Sequence, residues 1–289
     1  VGCFPVDRSR LPSGSQQAFR KEPRTITEYT LGLQDYTKSL LRKRHQILFY
    51  PAATRSRDGF PEHRIGHALT VFGKPIMEFA SEHPELQVVV SAVNYDFNPD
   101  IPEFEKQAET GQPQPHKGII ATIGTYMQIP PSEVLPKAIW NAFAAAEKKA
   151  DFAKFGKVWI SFTQPIAIAE YKGRVGRLAV EIFSKIKQAV VVTDTALVMA
   201  ALADKDGLSR ENLEETVSRL HSALAESNAN TACHETASEI IGRAEHILAP
   251  LGVLSIVNGA YAARQFPASY FRNNIAYHLE KAGIWTNFK

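Results

Sequence analysis

The chain has few cysteines and no long apolar run, and each shortage excludes a class of protein. Its two cysteines, Cys3 and Cys233, lie far apart and fit no metal-binding or redox spacing, so a reduced, intracellular setting is the expectation. No apolar run reaches the roughly 20 residues that a membrane-spanning helix needs, and the printed residues contain no signal peptide. Any contact with lipid is therefore expected to be peripheral or to use residues outside this chain.

The chain also lacks an excess of either charge. Its formal net charge is only +3 over 289 residues, which is far from the basic footprint of a dedicated nucleic-acid binder. Weak attraction to an anionic membrane surface remains compatible with this charge. Hydrophobic residues make up 44% of the chain, enough to bury a full core in one large domain or in a domain with a helical appendage.

The most informative segment is a polar turn that carries two arginines. Residues 50–59 read Tyr-Pro-Ala-Ala-Thr-Arg-Ser-Arg-Asp-Gly and follow a predicted strand at residues 46–49. A guanidinium presents a planar fork of donors to phosphate oxygens, so Arg55 and Arg57 in one extended loop can both reach the same anion. The alternative is a solvent-exposed turn, because a short Arg-x-Arg pair needs further context.

Four segments in order supply that context. The arginine segment resembles the third sequence block of the glycerol-3-phosphate and lysophosphatidate acyltransferases, which is usually Phe-Pro-Glu-Gly-Thr-Arg-Ser. Residues 2–8 are similar to the second block, and residues 88–95 occupy the place of the fourth, a buried strand that here lacks its usual proline. Residues 156–166 resemble the family's late strand, which ends in a phenylalanine and a Pro-Ile pair. The four blocks together are more specific than any one of them.

The resemblance implies a substrate-binding site and an α/β fold. Arg55 and Arg57 would clamp the acceptor phosphate, and Arg8 would meet the same phosphate from a neighbouring loop. Thr54 and Ser56 would shape the loop and supply hydrogen bonds. The expected fold is a mixed sheet flanked by helices, with an acyltransferase domain at residues 1–188 that lacks its N-terminal part. A C-terminal helical region at residues 189–289 would follow it.

The family's catalytic block, His-x-x-x-x-Asp, is missing. None of the nine histidines is followed five residues later by an aspartate. His221 with Glu226 and His234 with Glu239 come closest, but both pairs are predicted to lie in helices, where five residues turn the side chains about 140° apart. No catalytic residue is therefore assigned, and the expectation is a partial chain whose upstream residues carried the histidine and aspartate.

The resemblance implies an acyltransferase of phospholipid biosynthesis that works at the cytoplasmic face of a membrane. The acyl donor would be acyl-CoA or acyl-carrier protein, and the acceptor glycerol-3-phosphate or lysophosphatidate. The hydroxyl would attack the thioester directly, without an acyl-enzyme, so no cysteine nucleophile and no cofactor is needed. Ala52 and Ala53 replace the family's glutamate and glycine. This departure keeps open a non-catalytic lipid- or acyl-binding homologue, and an unrelated phosphate-binding module is a third hypothesis.

Local patterns predict several further elements. A helix should follow the Thr25–Glu28 capping box. A helical pattern at residues 64–82 is interrupted by Gly73 and Pro75, so a kink or two short helices are expected there. Residues 99–117 are predicted to be an exposed loop and residues 132–154 a helix. His63 and His67 could share a metal, but no third ligand follows, so no metal site is predicted.

The C-terminal third is predicted to contain helices without clear strands. Ser209 is a candidate N-cap, followed by an apolar stripe at Leu213, Val217, Leu220 and Leu224. A second helix is expected at residues 235–248. Residues 270–278, Tyr-Phe-Arg-Asn-Asn-Ile-Ala-Tyr-His, resemble a C-terminal segment of the larger bacterial glycerol-3-phosphate acyltransferases. His278 is either a site residue or an ordinary partly buried helix histidine.

Overall fold

The computed structural model describes residues 23–49, 56–60, 67–110 and 155–285. The chain divides into two compact units. The first comprises Val1–Ser56, Phe60–Ala92 and Ile160–Val190, and the second Arg57–Gly59, Val93–Trp159 and Val191–Lys289. The predicted site residues Arg8, Thr54 and Arg55, together with the predicted helix at residues 132–154, lie outside the described residues.

The described residues form helices, a short 3-10 helix and short strands. The helices are α1 (Pro23–Arg42), α2 (His67–Glu82), α3 (Ile101–Thr110), α4 (Val175–Ala189), α5 (Asp194–Leu202), α6 (Arg210–Glu226), α7 (Ala237–Leu248), α8 (Gln265–Asn274) and α9 (Ala276–Lys281), with the 3-10 helix at Ile168–Tyr171. The strands are β1 (Gln87–Val88), β2 (Ser91–Tyr95), β3 (Val158–Phe162), β4 (Ile166–Ala167), β5 (Leu208–Ser209), β6 (Leu254–Val257) and β7 (Ala260–Ala263).

The strands pair in small separate sheets. β1 pairs antiparallel with β4, with Val88 opposite Ile166, and β2 pairs with β3. A three-stranded antiparallel sheet has the order β5-β7-β6, with Tyr261 opposite both Leu208 and Ile256. The mixture of helices and sheets is compatible with the predicted α/β class. Over the described residues, however, the strands form these small sheets and no single mixed sheet.

The first unit has its own apolar core, built by α1, α2, α4 and β4. The predicted helix is present as α1, but it begins at Pro23, before the residue predicted to cap it, Thr25. Leu33 and Leu41 are buried on its inner face. Tyr36, on the same helix, is 45% exposed. The predicted strand at residues 46–49 is wrong, because this segment pairs with no strand among the described residues. Ile47 and Phe49 pack against the core instead, so burial of side chains replaces a ladder of backbone bonds.

Of the two alternatives predicted for residues 64–82, two short helices are not formed, since α2 runs continuously from His67 to Glu82 with Pro75 inside it. A proline inside a helix costs about 3 kcal/mol. The same helix buries Phe72, Ile76 and Met77, and each such side chain contributes about 1.5–3 kcal/mol, which outweighs that cost. Gly73 lets α2 approach α4 closely, because a Cβ atom there would lie 2.7 Å from a methyl carbon of Val175.

In the second unit, part of the predicted loop at residues 99–117 is a helix. α3 buries Ile101, Phe104 and Gln107 on one face, and the Phe104 ring stacks on that of Tyr270 at 6.1 Å between centroids. Pro102, in the first turn of α3, fits a helix start because the first backbone N–H groups of a helix need no partner within it. The loop prediction is therefore wrong for residues 101–110, where Pro102 belongs to the first turn of a helix.

The predicted C-terminal helices are confirmed. Ser209 caps α6, with its hydroxyl accepting from the Asn212 N–H at 3.3 Å, and Thr236 and Glu239 form a capping box at the start of α7. At the centre of this unit lies α5, whose residues are buried on all sides. The four residues of the predicted stripe on α6 and the apolar residues of α7 are buried: Leu213, Val217, Leu220, Leu224, Ile240, Ile241, Ala244, Ile247 and Leu248.

The expectation of a C-terminal region without strands is wrong. β6 and β7 form a hairpin whose two-residue turn consists of Asn258 and Gly259, with φ of 51° and 78°. Asn-Gly is the preferred sequence for a turn in which both central residues have positive φ. The strands have only four residues each, too few for a clear alternation of polar and apolar residues. The Asn-Gly turn was therefore the sequence signal from which this hairpin could have been predicted.

None of the helices in the described part of the chain is long and apolar enough to cross a membrane. The predicted strand at residues 156–166 is confirmed as β3 and β4. The predicted strand at residues 88–95 is present as β1 and β2, but it is not fully buried. Ala92 and Asn94 point inward, whereas Ser91, Val93 and Tyr95 are exposed.

Candidate functional site

The segment Arg57–Gly59, which we call the Arg57 turn, sits against the C-terminal half of α8. Gly59 has φ of +88°, and a Cβ atom at this position would lie only 2.0 Å from the backbone oxygen of Tyr270. Glycine is therefore required here both for its conformation and for the close approach. The turn that carries one of the predicted phosphate-binding arginines is seated directly on backbone atoms of α8.

Two asparagine side chains at the end of α8 hold the turn. Asn273 Nδ2 donates to the backbone oxygen of Asp58 at 2.8 Å, and Asn274 Nδ2 donates to that of Gly59 at 3.3 Å. The two amides bond successive carbonyl groups, so they restrain the backbone of the turn rather than a mobile side chain. Their sequence separation of 215 residues makes this a contact that only the tertiary structure creates.

Asn274 is itself oriented by a second asparagine. Asn94 Nδ2, on β2, donates to Asn274 Oδ1 at 2.9 Å, and Asn94 Oδ1 accepts from the Val191 N–H at 3.0 Å. The Asn94 side chain is 6% exposed, and a buried amide that is bonded at both ends is fixed in orientation. The chain of bonds therefore runs from Val191 through Asn94 and Asn274 to Gly59.

A small polar pocket of about 60 Å³ adjoins these residues. That volume is about two water molecules at roughly 30 Å³ each. Asn98 Nδ2 donates to the Tyr270 hydroxyl at 2.9 Å. Burial raises the pKa of Tyr270 to about 12. The pocket is lined by Val93, Asn94, Tyr95, Asn98, Thr193, Ala196, Tyr270, Phe271 and Asn274.

The described part of the predicted site consists of Ser56 and Arg57. Both are half-buried, and no ion-pair partner of Arg57 lies among the residues that the structure describes. Whether Arg8, Thr54 and Arg55 lie beside Arg57 stays a prediction, because they are outside the described ranges. Of the arginine segment, the structure therefore describes only the C-terminal end, where the Arg57 turn contacts α8.

The residues that hold this turn were not predicted as site residues. Asn94 lay inside the segment that resembles the fourth block, and Tyr270, Asn273 and Asn274 lay inside the C-terminal segment that resembles the larger bacterial enzymes. Both resemblances were therefore available in the sequence. The contact between these segments could not be predicted, because no local pattern relates residue 94 or residue 59 to residue 274.

A buried carboxylate joins two of the sequence blocks. Asp96, just after β2, accepts from the Lys157 N–H and from the Trp159 indole N–H, each at 2.8 Å. Gly156 has φ of +77°, and a Cβ atom there would lie 2.6 Å from the Asp96 side chain. Asp96 thus fixes the start of β3, which belongs to the late strand of the family pattern.

His234 pairs with Asp194 and not with Glu239. His234 lies before α7 rather than in a helix, which corrects the prediction, and its Nδ1 lies 2.6 Å from Asp194 Oδ2. Asp194 Oδ1 also accepts the His234 backbone N–H at 2.9 Å. Asp194 is 8% exposed and His234 50% exposed. Both carboxylate oxygens are engaged by one residue, so the pair ties this loop to the first turn of α5. His221 lies in α6, as predicted.

Cys233 is chemically shielded. Its thiol donates to the backbone oxygen of Val192 at 3.4 Å, and burial raises the pKa of the Cys233 thiol, helped by the negative charges of Asp194 and Asp96. A thiol with a raised pKa has little of the thiolate form that reacts.

We expect Cys233 to react with iodoacetamide at pH 8 at least about tenfold more slowly in the folded protein than in urea. The raised thiol pKa keeps the group protonated at a pH where an exposed cysteine is partly ionised. A Cys3→Ser variant leaves Cys233 as the only thiol, and mass spectrometry measures its alkylation over time. Equal rates in buffer and in urea would contradict the burial of this side chain.

Metal ligands do not cluster in the described part of the chain, where no group of three or more histidine, cysteine, aspartate or glutamate residues could hold an ion. His63, one member of the histidine pair considered from the sequence, lies outside the described residues. His278, considered as a possible site residue, is 2% exposed in α9.

Comparison with known families shows to which family the chain belongs. A family model described as the glycerol-3-phosphate acyltransferase C-terminal region matches residues 140–286, just over half of the chain. The chain belongs to the glycerol-3-phosphate acyltransferase family. No curated protein matches the chain. The family resemblance predicted from the sequence blocks is thereby confirmed.

The family match covers one side of the asparagine contacts. Val191, Asn273 and Asn274 lie within the matched residues, whereas Asn94 and the Arg57 turn precede them. In this family member, the C-terminal region therefore supplies the surface on which the Arg57 turn rests.

Proposed function

We propose that this family member takes part in transfer of a fatty acyl group to the hydroxyl of glycerol-3-phosphate or lysophosphatidate. Family membership supports acyltransferase activity in glycerol-3-phosphate lipid biosynthesis in general. The observation that carries the finer proposal is the seated Arg57 turn. The two backbone carbonyl groups that follow Arg57 are bonded to the amides of Asn273 and Asn274, so this arginine begins from a restrained backbone, as a binding group must.

Arg57 acts with Arg55 as the clamp for the acceptor phosphate in this proposal. Bidentate bonds from a guanidinium to phosphate oxygens are stronger and more directional than those of a lysine. Arg8 adds a third positive charge, and Thr54 and Ser56 add hydroxyl donors. The amides and hydroxyls that line the adjacent pocket offer hydrogen bonds without charge.

The acyl transfer itself would proceed by direct attack. The acceptor oxygen bonds to the thioester carbonyl carbon, the hydroxyl proton passes to a general base, and the carbon–sulfur bond then breaks to release the thiol of coenzyme A or of acyl-carrier protein. The acceptor phosphate bound by Arg55 and Arg57 fixes the hydroxyl relative to the thioester. No residue of the printed chain is assigned as the base, because the His-x-x-x-x-Asp block is absent from it.

The test is binding of glycerol-3-phosphate followed by a transfer assay. We expect isothermal calorimetry to detect glycerol-3-phosphate and to show no binding of glycerol at the same concentration, because the phosphate supplies the charged contacts. Incubation with acyl-CoA, or with acyl-carrier protein that carries an acyl group, would then be analysed for lysophosphatidate. Equal binding of glycerol and glycerol-3-phosphate would contradict the proposed phosphate clamp.

A lipid- or acyl-binding homologue without catalysis is the second candidate. Ala52 and Ala53 in the arginine segment and Val90, where the family's fourth block carries a proline, favour it. It predicts binding of glycerol-3-phosphate or of lysophosphatidate in vesicles, with no acylated product after addition of the donor. Formation of product by the chain as printed would exclude this second candidate, and peripheral membrane contact fits both.

A further inference from the structure

We infer that Asn274, with Asn273, is a positioning residue for Arg57, so that the C-terminal region of the family takes part in building the acceptor-phosphate site. This inference rests on the proposed function of Arg57. Neither asparagine needs to touch the substrate. Their amides bond the two carbonyl groups that directly follow Arg57, and through them they set the direction in which the arginine leaves the turn.

The geometry of the turn explains why such support is needed. A short segment of three residues that ends in a glycine with φ of +88° has high conformational freedom in the unfolded or undocked state. Fixing the backbone of such a segment costs conformational entropy. Two side-chain bonds to successive carbonyl groups, together with close contact between Gly59 and the backbone oxygen of Tyr270, offset that cost.

Asn274 is suited to this role because a hydrogen bond from Asn94 fixes the orientation of its side-chain amide. Its Oδ1 accepts from Asn94 at 2.9 Å, which leaves Nδ2 directed at Gly59. Asn94 in turn is fixed by the Val191 N–H at 3.0 Å. An amide whose oxygen is already bonded cannot exchange its oxygen and nitrogen positions without breaking that bond. The donor is therefore always presented to the turn.

The hydrogen bonds of the two asparagines differ in their exposure to solvent. The bond from Asn273 is exposed to solvent, whereas that from Asn274 is partly buried. A partly buried bond is less exposed to competition from water, and its loss also leaves a carbonyl group poorly satisfied. Asn274 therefore carries the larger share of the positioning, and Asn273 adds to it.

The substitution that tests this role is Asn274→Asp. Aspartate has nearly the same shape and keeps an oxygen to accept from Asn94, but it loses the donor to Gly59. We expect affinity for glycerol-3-phosphate, measured by calorimetry, to fall about tenfold. Asn274→Ala removes the same donor without adding a charge, so a similar loss in both variants attributes the effect to the bond. Asn212→Asp, on the exposed face of α6, is the matched control and leaves affinity unchanged.

Comparison of ligands and of backgrounds separates positioning from direct contact. If Asn274 acts through Arg57, inorganic phosphate and glycerol-3-phosphate weaken by the same factor, and Asn274→Asp has no further effect in an Arg57→Ala background. A loss confined to glycerol-3-phosphate would show direct contact with the glycerol part and overturn the inference. Additive losses in the double variant would also overturn it.

Proteolysis measures the position of the turn directly, independently of ligand binding. Trypsin cleavage at Arg57 should be several-fold faster in Asn274→Asp, and faster to a smaller degree in Asn273→Asp, because the turn leaves α8 more often. Cleavage and affinity unchanged from the parent chain would overturn the inference while the phosphate site itself stands. If Arg57→Ala alone leaves affinity unchanged, the proposed function of Arg57 fails instead, and the two failures are thus distinguishable.

Discussion

We expect the Arg55→Ala/Arg57→Ala variant to lose at least about 100-fold in affinity for glycerol-3-phosphate. Hydrogen bonds to charged groups contribute about 1.5–3 kcal/mol each, so loss of two guanidinium groups that share one phosphate removes most of the binding energy. The fold should survive, because Arg57 is half-buried in the turn and has no ion-pair partner among the described residues. Calorimetry measures the affinity and circular dichroism the fold.

Salt and a conservative replacement sharpen this test. Affinity of the parent chain should fall as salt rises, because screening weakens charge contacts near the surface, whereas residual binding by the double variant should respond less. Arg57→Lys keeps the charge but loses the planar fork and should recover part of the affinity only. Full affinity in the double alanine variant would show that the phosphate binds elsewhere.

The second large effect is expected for Gly59→Ala. Alanine in a left-handed conformation costs about 1–2 kcal/mol, and its Cβ would lie 2.0 Å from the Tyr270 oxygen, a contact with backbone that cannot be relieved by a side-chain rotation. Overlap of this kind costs typically about 1–3 kcal/mol more. We therefore expect the turn to leave α8 or the second unit to lose about 2–5 kcal/mol of stability.

Gly252→Ala is the matched control for this variant. Gly252 lies in the same unit and has φ of +65°, and a Cβ atom added there would meet no other atom within 4 Å. It should therefore show the conformational cost alone, about 1–2 kcal/mol. Urea unfolding measures stability, and trypsin cleavage at Arg57 reports whether the turn has left α8. Equal losses in both variants would mean that the contact between Gly59 and Tyr270 is looser than the structure has it.

Local chemistry explains which parts of the fold could be predicted. The cap at Ser209 and the stripe on α6 depend on residues three or four positions apart, and both are confirmed. The helix α3 was missed because Pro102 and its neighbours have the composition of a loop. The strand predicted at residues 46–49 was wrong because an apolar run does not reveal whether a neighbouring strand exists to pair with it.

The sequence by itself determined the family, since the order of its blocks identified the acyltransferase resemblance that the family match confirms. It also supplied Arg55 and Arg57 as the predicted phosphate ligands, because arginine pairs in a polar turn have a chemistry that can be recognised without a structure. Only the tertiary structure decided that Gly59 rests on Tyr270 and that Asn274 holds the turn. Residues 215 positions apart meet through packing of the whole unit, and no local periodicity, cap or turn signal encodes that distance.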